Sequence, residues 1–108
     1  MYVTIEDRKR REAERRRRAV GLIAEQLGRF ARERGGKYVL YGSAARGDMR
    51  HDSDIDLLVD FPATDEADAW RVAEDLAAEF SLDADIQPLK WCDPTFLGKI
   101  LPQARIIP

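Results

Sequence analysis

Asp54 and Asp56 stand at the head of Ile55-Asp56-Leu57-Leu58-Val59. That β-branched and aliphatic run reads as a strand. Strand side chains alternate between faces, so the two carboxylates project to the same side. Their Cα atoms are expected roughly 6.6 Å apart, at about 3.3 Å per residue. Two carboxylates so spaced can share hard cations such as Mg²⁺, which takes oxygen ligands and keeps phosphate oxygens in its shell. Without a cation they repel, and one pKa rises. Taken alone, Asp-x-Asp fits a polar strand end with two solvated aspartates equally well.

A second segment changes that balance. Lys37-Tyr38-Val39-Leu40-Tyr41 reads as another strand, ended by Gly42. Glycine has no Cβ, so backbone N–H groups there can approach a ligand closely. Ser43 adds a hydroxyl, and Ala44-Ala45-Arg46 permits a helical turn that Gly47 closes. A strand, a glycine turn and a helix start expose N–H groups that suit a phosphate. Arg46 contacts that phosphate or anchors the loop through an ion pair. By itself a Gly-Ser turn is an ordinary connection between strands.

Together the segments resemble the nucleotidyltransferase superfamily of DNA polymerase β. Within it they are most similar to the minimal nucleotidyltransferases, the MNT antitoxins paired with HEPN toxins. The residues that carry the likeness are Tyr38 to Tyr41, Gly42-Ser43-Ala44-Ala45-Arg46-Gly47-Asp48, and Ser53-Asp54-Ile55-Asp56-Leu57-Leu58-Val59. The likeness continues through a helix to a third acidic strand, over residues 36–90. It implies an α/β (α+β) fold, a small mixed sheet with helices packed against it. It also implies a third carboxylate on a neighbouring strand, within Leu82-Asp83-Ala84-Asp85-Ile86. Periodicity puts Asp83 and Asp85 on one face and does not choose between them. The family pattern sets the acid directly before an aliphatic strand residue, which favours Asp85.

The implied activity is Mg²⁺-dependent transfer of a nucleoside monophosphate, AMP from ATP, to a hydroxyl. Asp54, Asp56 and Asp85 hold two Mg²⁺ ions, and Gly42, Ser43 and Arg46 hold the nucleotide phosphates. The resemblance implies a HEPN toxin as partner, a tyrosine of that toxin as acceptor, and hence a hetero-oligomer. The competing class is a binding module that neutralises a toxin by complex formation, its carboxylates inherited but idle. Transfer to a small molecule is a third reading, disfavoured because relatives of that kind use a second domain.

The rest of the chain sets these residues on a frame. Its 108 residues suit one domain, 1–108, with a modest core. No apolar run approaches the length of a membrane span, and no signal-peptide pattern starts the chain. Cys92 is the only cysteine. That excludes an internal disulfide, fits a reducing cytoplasm, and makes the residue a small hydrophobe rather than a nucleophile. His51 has no second histidine or cysteine at ligand spacing, so it reads as a loop residue.

Charge is strongly asymmetric. Residues 1–37 carry a balance of +6 and residues 38–108 a balance of −8. The basic part reads as a helix over about residues 5–34, started by Thr4 with Asp7 three residues on and ended by Gly35-Gly36. Val20, Ile23, Ala24, Leu27, Phe30 and Ala31 form its apolar stripe. Arg8 to Arg18 lack such a stripe. They are expected to project beyond the domain, as a solvated helical extension with i, i+3 and i, i+4 ion pairs or as an arm for an acidic partner or, last, nucleic acid. No aromatic residues interleave with them, so they do not read as a base-stacking surface. A helix is expected from Thr64 or Asp65 to about Phe80, with Trp70 in the core. A short helix should start at Asp93-Pro94-Thr95, and Arg105-Ile106-Ile107 suggests a last strand.

Overall fold

The computed structural model describes residues 3–108; Met1 and Tyr2 lie outside the described residues. Helix α1 (Ile5–Arg34) is followed by β1 (Lys37–Tyr41), the single-turn α2 (Gly42–Arg46), β2 (Ile55–Asp60), α3 (Glu66–Glu79), β3 (Ala84–Pro88), α4 (Pro94–Ile100) and β4 (Arg105–Ile107). The strands form one sheet in the order β3-β2-β1-β4. β1 runs antiparallel to both β2 and β4, and β2 runs parallel to β3. The parallel pair requires a crossover, which α3 supplies. This is the mixed sheet with packed helices that the sequence led us to expect.

Alternation along the strands builds two apolar faces. Tyr38, Leu40, Ile55, Leu57, Val59, Ile86 and Ile107 pack with the buried stripes of α1 and α3. The Tyr38 hydroxyl donates to the Ala69 carbonyl at 2.7 Å, tying sheet to α3. Val39, Tyr41 and Leu58 face the other way, under Phe96, Leu97 and Ile100 of α4. α4 begins as its sequence indicates, with the Asp93 carboxylate accepting the Phe96 N–H at 2.9 Å. Thr4 and Asp7 cap α1 reciprocally, and Gly35 ends it at a left-handed φ of 69°. Pro88 is the last residue of the edge strand β3, where its missing N–H costs no ladder bond.

The expectation for Arg8 to Arg18 is corrected. Ala13 is buried, and Arg15, Arg16 and Arg17 donate to backbone carbonyls of the domain. Arg8 to Arg11 are exposed, and so are Glu14, Arg17 and Arg18, while Glu12, Arg15 and Arg16 are half-buried. Long guanidinium side chains dock this stretch where an apolar stripe is absent, and a hydropathy pattern does not register such contacts. Among the described residues, no helix is long and apolar enough to cross a membrane.

Candidate active site

The register of the central strands brings the acidic residues into line. Asp56 of β2 pairs with Tyr41 of β1 on one side and with Asp85 of β3 on the other. Neighbouring strands lie about 4.8 Å apart, so Asp56 and Asp85 are direct neighbours on one face. Asp54 precedes β2 and shares that face by alternation. It is the face that α4 covers further along, at Val39 and Leu58. Asp54 and Asp85 are exposed, and Asp56 is half-buried. Asp83 lies outside β3, two residues nearer its start, and its carbonyl accepts the Ile55 N–H at 3.0 Å. Of the two acids that periodicity left open, Asp85 is therefore the one beside Asp56.

Electrostatics mark Asp56 as the centre of the group. Burial raises its pKa above the usual 3.8; the charges of Asp85 and Asp54 raise it further, and Arg46 opposes them. Among the described residues, none of Asp54, Asp56, Asp83 and Asp85 forms an ion pair, whereas nearby Asp48 and Asp60 do. A cluster of hard oxygen donors without protein cations suits divalent cations. Among the described residues, no three acidic, histidine or cysteine side chains already converge as a cation cage.

The raised pKa has a consequence for stability. Between the ordinary carboxylate pKa and its own higher value, folded Asp56 binds more protons than the unfolded chain does. Its contribution therefore lowers stability as pH rises through that interval. Asp56→Asn removes the penalty. In metal-free buffer it should melt at a higher temperature than the parent at pH 7. The gap should open from about pH 4 upward. Thermal unfolding curves at several pH values measure it, and a gap that is flat from pH 4 to 8 would exclude the electrostatic cause.

The glycine turn rests against this carboxylate. Gly42 has a φ of 69°, and a Cβ built on it would lie 2.5 Å from Asp56 Oδ2. The residue before it, Tyr41, supplies no side-chain cap to α2. Among the described residues, no side chain caps the first N–H groups of that turn, at the end where the carboxylates lie. Gly47 closes the turn at a φ of 80°. Arg46 Nε donates to Asp48 Oδ2 at 3.3 Å, which is the loop-anchoring alternative of the two that its sequence allowed. Its charge also acts on Asp56.

Two aromatic residues stand apart from the sequence expectations, Tyr41 beside the carboxylates and Trp91 beyond the far end of β3. Tyr41 belongs to this face, and its hydroxyl pKa is pushed up to about 12, chiefly by burial and then by Asp56 and Asp85. Its two-residue spacing from Val39 was the available signal. Trp91 is 69% exposed and meets Trp70 edge-on at 6.3 Å between ring centres. Trp70 is half-buried at the core margin. Burial and then Asp93 raise the Cys92 thiol pKa. His51 is half-buried in a turn at the edge of a groove of about 700 Å³ formed with α1.

No curated protein is found to match the chain. Residues 32–108 match the family described as Polymerase beta, Nucleotidyltransferase. The matched span runs from the last turn of α1 to the end of the chain described here, so it takes in the whole sheet, the Gly42 turn and all four acidic residues of the face. The chain belongs to the polymerase beta nucleotidyltransferase family.

Proposed function

We propose that the protein transfers AMP from ATP to a hydroxyl on a partner protein, in an Mg²⁺-dependent reaction. The observation that carries this reading is the register that sets Asp56 beside Asp85 while its carboxylate rests on the Gly42 turn. Asp54, Asp56 and Asp85 would hold the metal ions. Bound there, Mg²⁺ supplies charge neutralisation at the entering and leaving oxygens. The N–H groups of Gly42 and Ser43 hold terminal phosphate oxygens, and Arg46 adds a positive charge at the same end. Asp85, exposed at the edge strand, orients the acceptor hydroxyl and takes its proton. The acceptor oxygen forms a bond to the α-phosphorus as the bond to pyrophosphate breaks. Positioning and electrostatic stabilisation supply most of the acceleration in such chemistry.

The resemblance to MNT antitoxins supports a HEPN-type toxin as the partner, with a tyrosine hydroxyl as acceptor. The purified protein should bind ATP much more tightly with Mg²⁺ than without, by titration calorimetry. With the partner and labelled ATP, the label should move to the partner. Equal ATP binding with and without Mg²⁺, together with neutralisation of the partner without label, would instead support an idle binding module.

A further inference from the structure

Three consecutive arginines of α1 hold the two loops that lead into the carboxylate-bearing strands. Arg16 Nη1 donates to the Ser53 carbonyl at 2.6 Å, one residue before Asp54. Arg17 donates from Nε and Nη2 to the Met49 carbonyl at 3.3 and 3.2 Å, at the start of the same loop. Arg15 Nη1 donates to the Phe80 carbonyl at 2.6 Å, where α3 turns toward β3. That turn includes Ser81 at a left-handed φ of 56°, a conformation that a non-glycine residue keeps only when its surroundings hold it.

The donors are themselves held. Glu12 accepts from Arg15 Nη2 at 2.7 Å and from Arg16 Nε at 3.0 Å, so one carboxylate orients both guanidinium groups. The Arg16 side chain is only 17% exposed. Ser53 completes the grip, its hydroxyl accepting the Arg50 N–H at 2.7 Å. Hydrogen bonds from a charged donor are the short and strong kind, and a guanidinium can serve two acceptors at once. Glu12 and the three arginines precede the span matched by the family, whereas the carbonyls they hold lie within it.

We infer that Arg15, Arg16 and Arg17 are positioning residues: α1 clamps both loops and thereby fixes Asp54 relative to Asp56 and Asp85. The role rests on the nucleotide reading of the site. A phosphoryl-transfer site is sensitive to displacements of about 1 Å, which an unclamped loop readily makes. The basic run therefore serves the domain at residues 15–17, while Arg8 to Arg11 and Arg18 are exposed.

The test compares Arg16→Met, Arg16→Lys and a control, Arg29→Met, whose parent arginine makes only an exposed pair with Glu25. Calorimetry with Mg²⁺ and ATP should give about tenfold weaker binding for Arg16→Met. Arg16→Lys keeps the charge and one donor and should recover part of the loss. Arg29→Met should match the parent. Hydrogen exchange at residues 50–55 should quicken in Arg16→Met while the β1 amides stay protected. Should Arg16→Met fail to fold, Arg16→Lys carries the comparison, with a loss of about threefold. Unchanged ATP binding with unchanged exchange overturns the clamp while leaving the nucleotide reading intact. A parent protein without Mg²⁺-dependent ATP binding overturns the nucleotide reading and with it the clamp's role in the site, while the exchange measurement still reports whether Arg16 holds the loop.

Discussion

A variant carrying both Asp54→Asn and Asp56→Asn is expected to lose Mg²⁺-dependent ATP binding and to transfer label at least about 10³-fold more slowly than the parent. The magnitude follows from the several kcal/mol of charge stabilisation that a bound cation contributes, at 1.36 kcal/mol per factor of ten. Asparagine keeps the shape and one oxygen but removes the charge that holds a hard cation. Unfolding does not explain such a loss, because Asp56 ionises at a cost in the parent, and its neutral replacement relieves that cost. Asp85→Asn separates roles within the group. It should abolish transfer while leaving a complex with the partner intact, because Asp85 lies exposed on the edge strand, where the proposed acceptor would approach. Asp83→Asn should transfer at close to the parental rate, since Asp83 lies outside β3. Transfer that stops with Asp83→Asn and survives Asp85→Asn would reverse the assignment.

The ease with which the sequence yields this face has a simple cause. Alternation is a local rule, so Ile55 to Val59 announces both the strand and the side on which Asp56 projects. Caps are equally local, and Thr4, Gly35 and Asp93 do at the helix ends what their types suggest. Register is not local. Whether Asp83 or Asp85 stands beside Asp56 depends on how β3 slides along β2, and a two-residue slip would exchange them without altering either face. The same limit hid Tyr41, whose approach to Asp56 and Asp85 is a cross-strand fact. Arg15 and Arg16 form the local pairs with Glu12 that their spacing suggests, but the docking of Arg15 to Arg17 on the domain is hidden for another reason. Their partners are backbone carbonyls at Phe80, Ser53 and Met49, more than thirty residues away, and a carbonyl leaves no trace in residue type.

Gly42→Ala is expected to weaken Mg²⁺-dependent ATP binding by about 100-fold, whereas Gly47→Ala should leave it within about threefold. The two glycines share a left-handed backbone, at φ 69° and 80°. An alanine in either place costs roughly 1–2 kcal/mol of conformational strain. At roughly 4–8 °C per kcal/mol for a domain near this size, both variants should melt several degrees lower. Their surroundings differ. A Cβ at Gly47 meets nothing within 4 Å, but a Cβ at Gly42 lands 2.5 Å from Asp56 Oδ2. That distance is well inside a normal contact, so either the carboxylate swings away or the turn lifts off it. Swinging brings the charge of Asp56 against Asp85 and Asp54, which already raise its pKa. Lifting the turn carries the Gly42 and Ser43 N–H groups away from the phosphates they would hold. Each movement breaks the link between the proposed metal ligand and the proposed phosphate turn, and the expected loss of about 100-fold is that of one misplaced contact in a preorganised site. Calorimetry on the two variants, at a temperature where both are folded, separates strain from contact. Equal affinities would mean that the closeness of Gly42 to Asp56 serves packing alone.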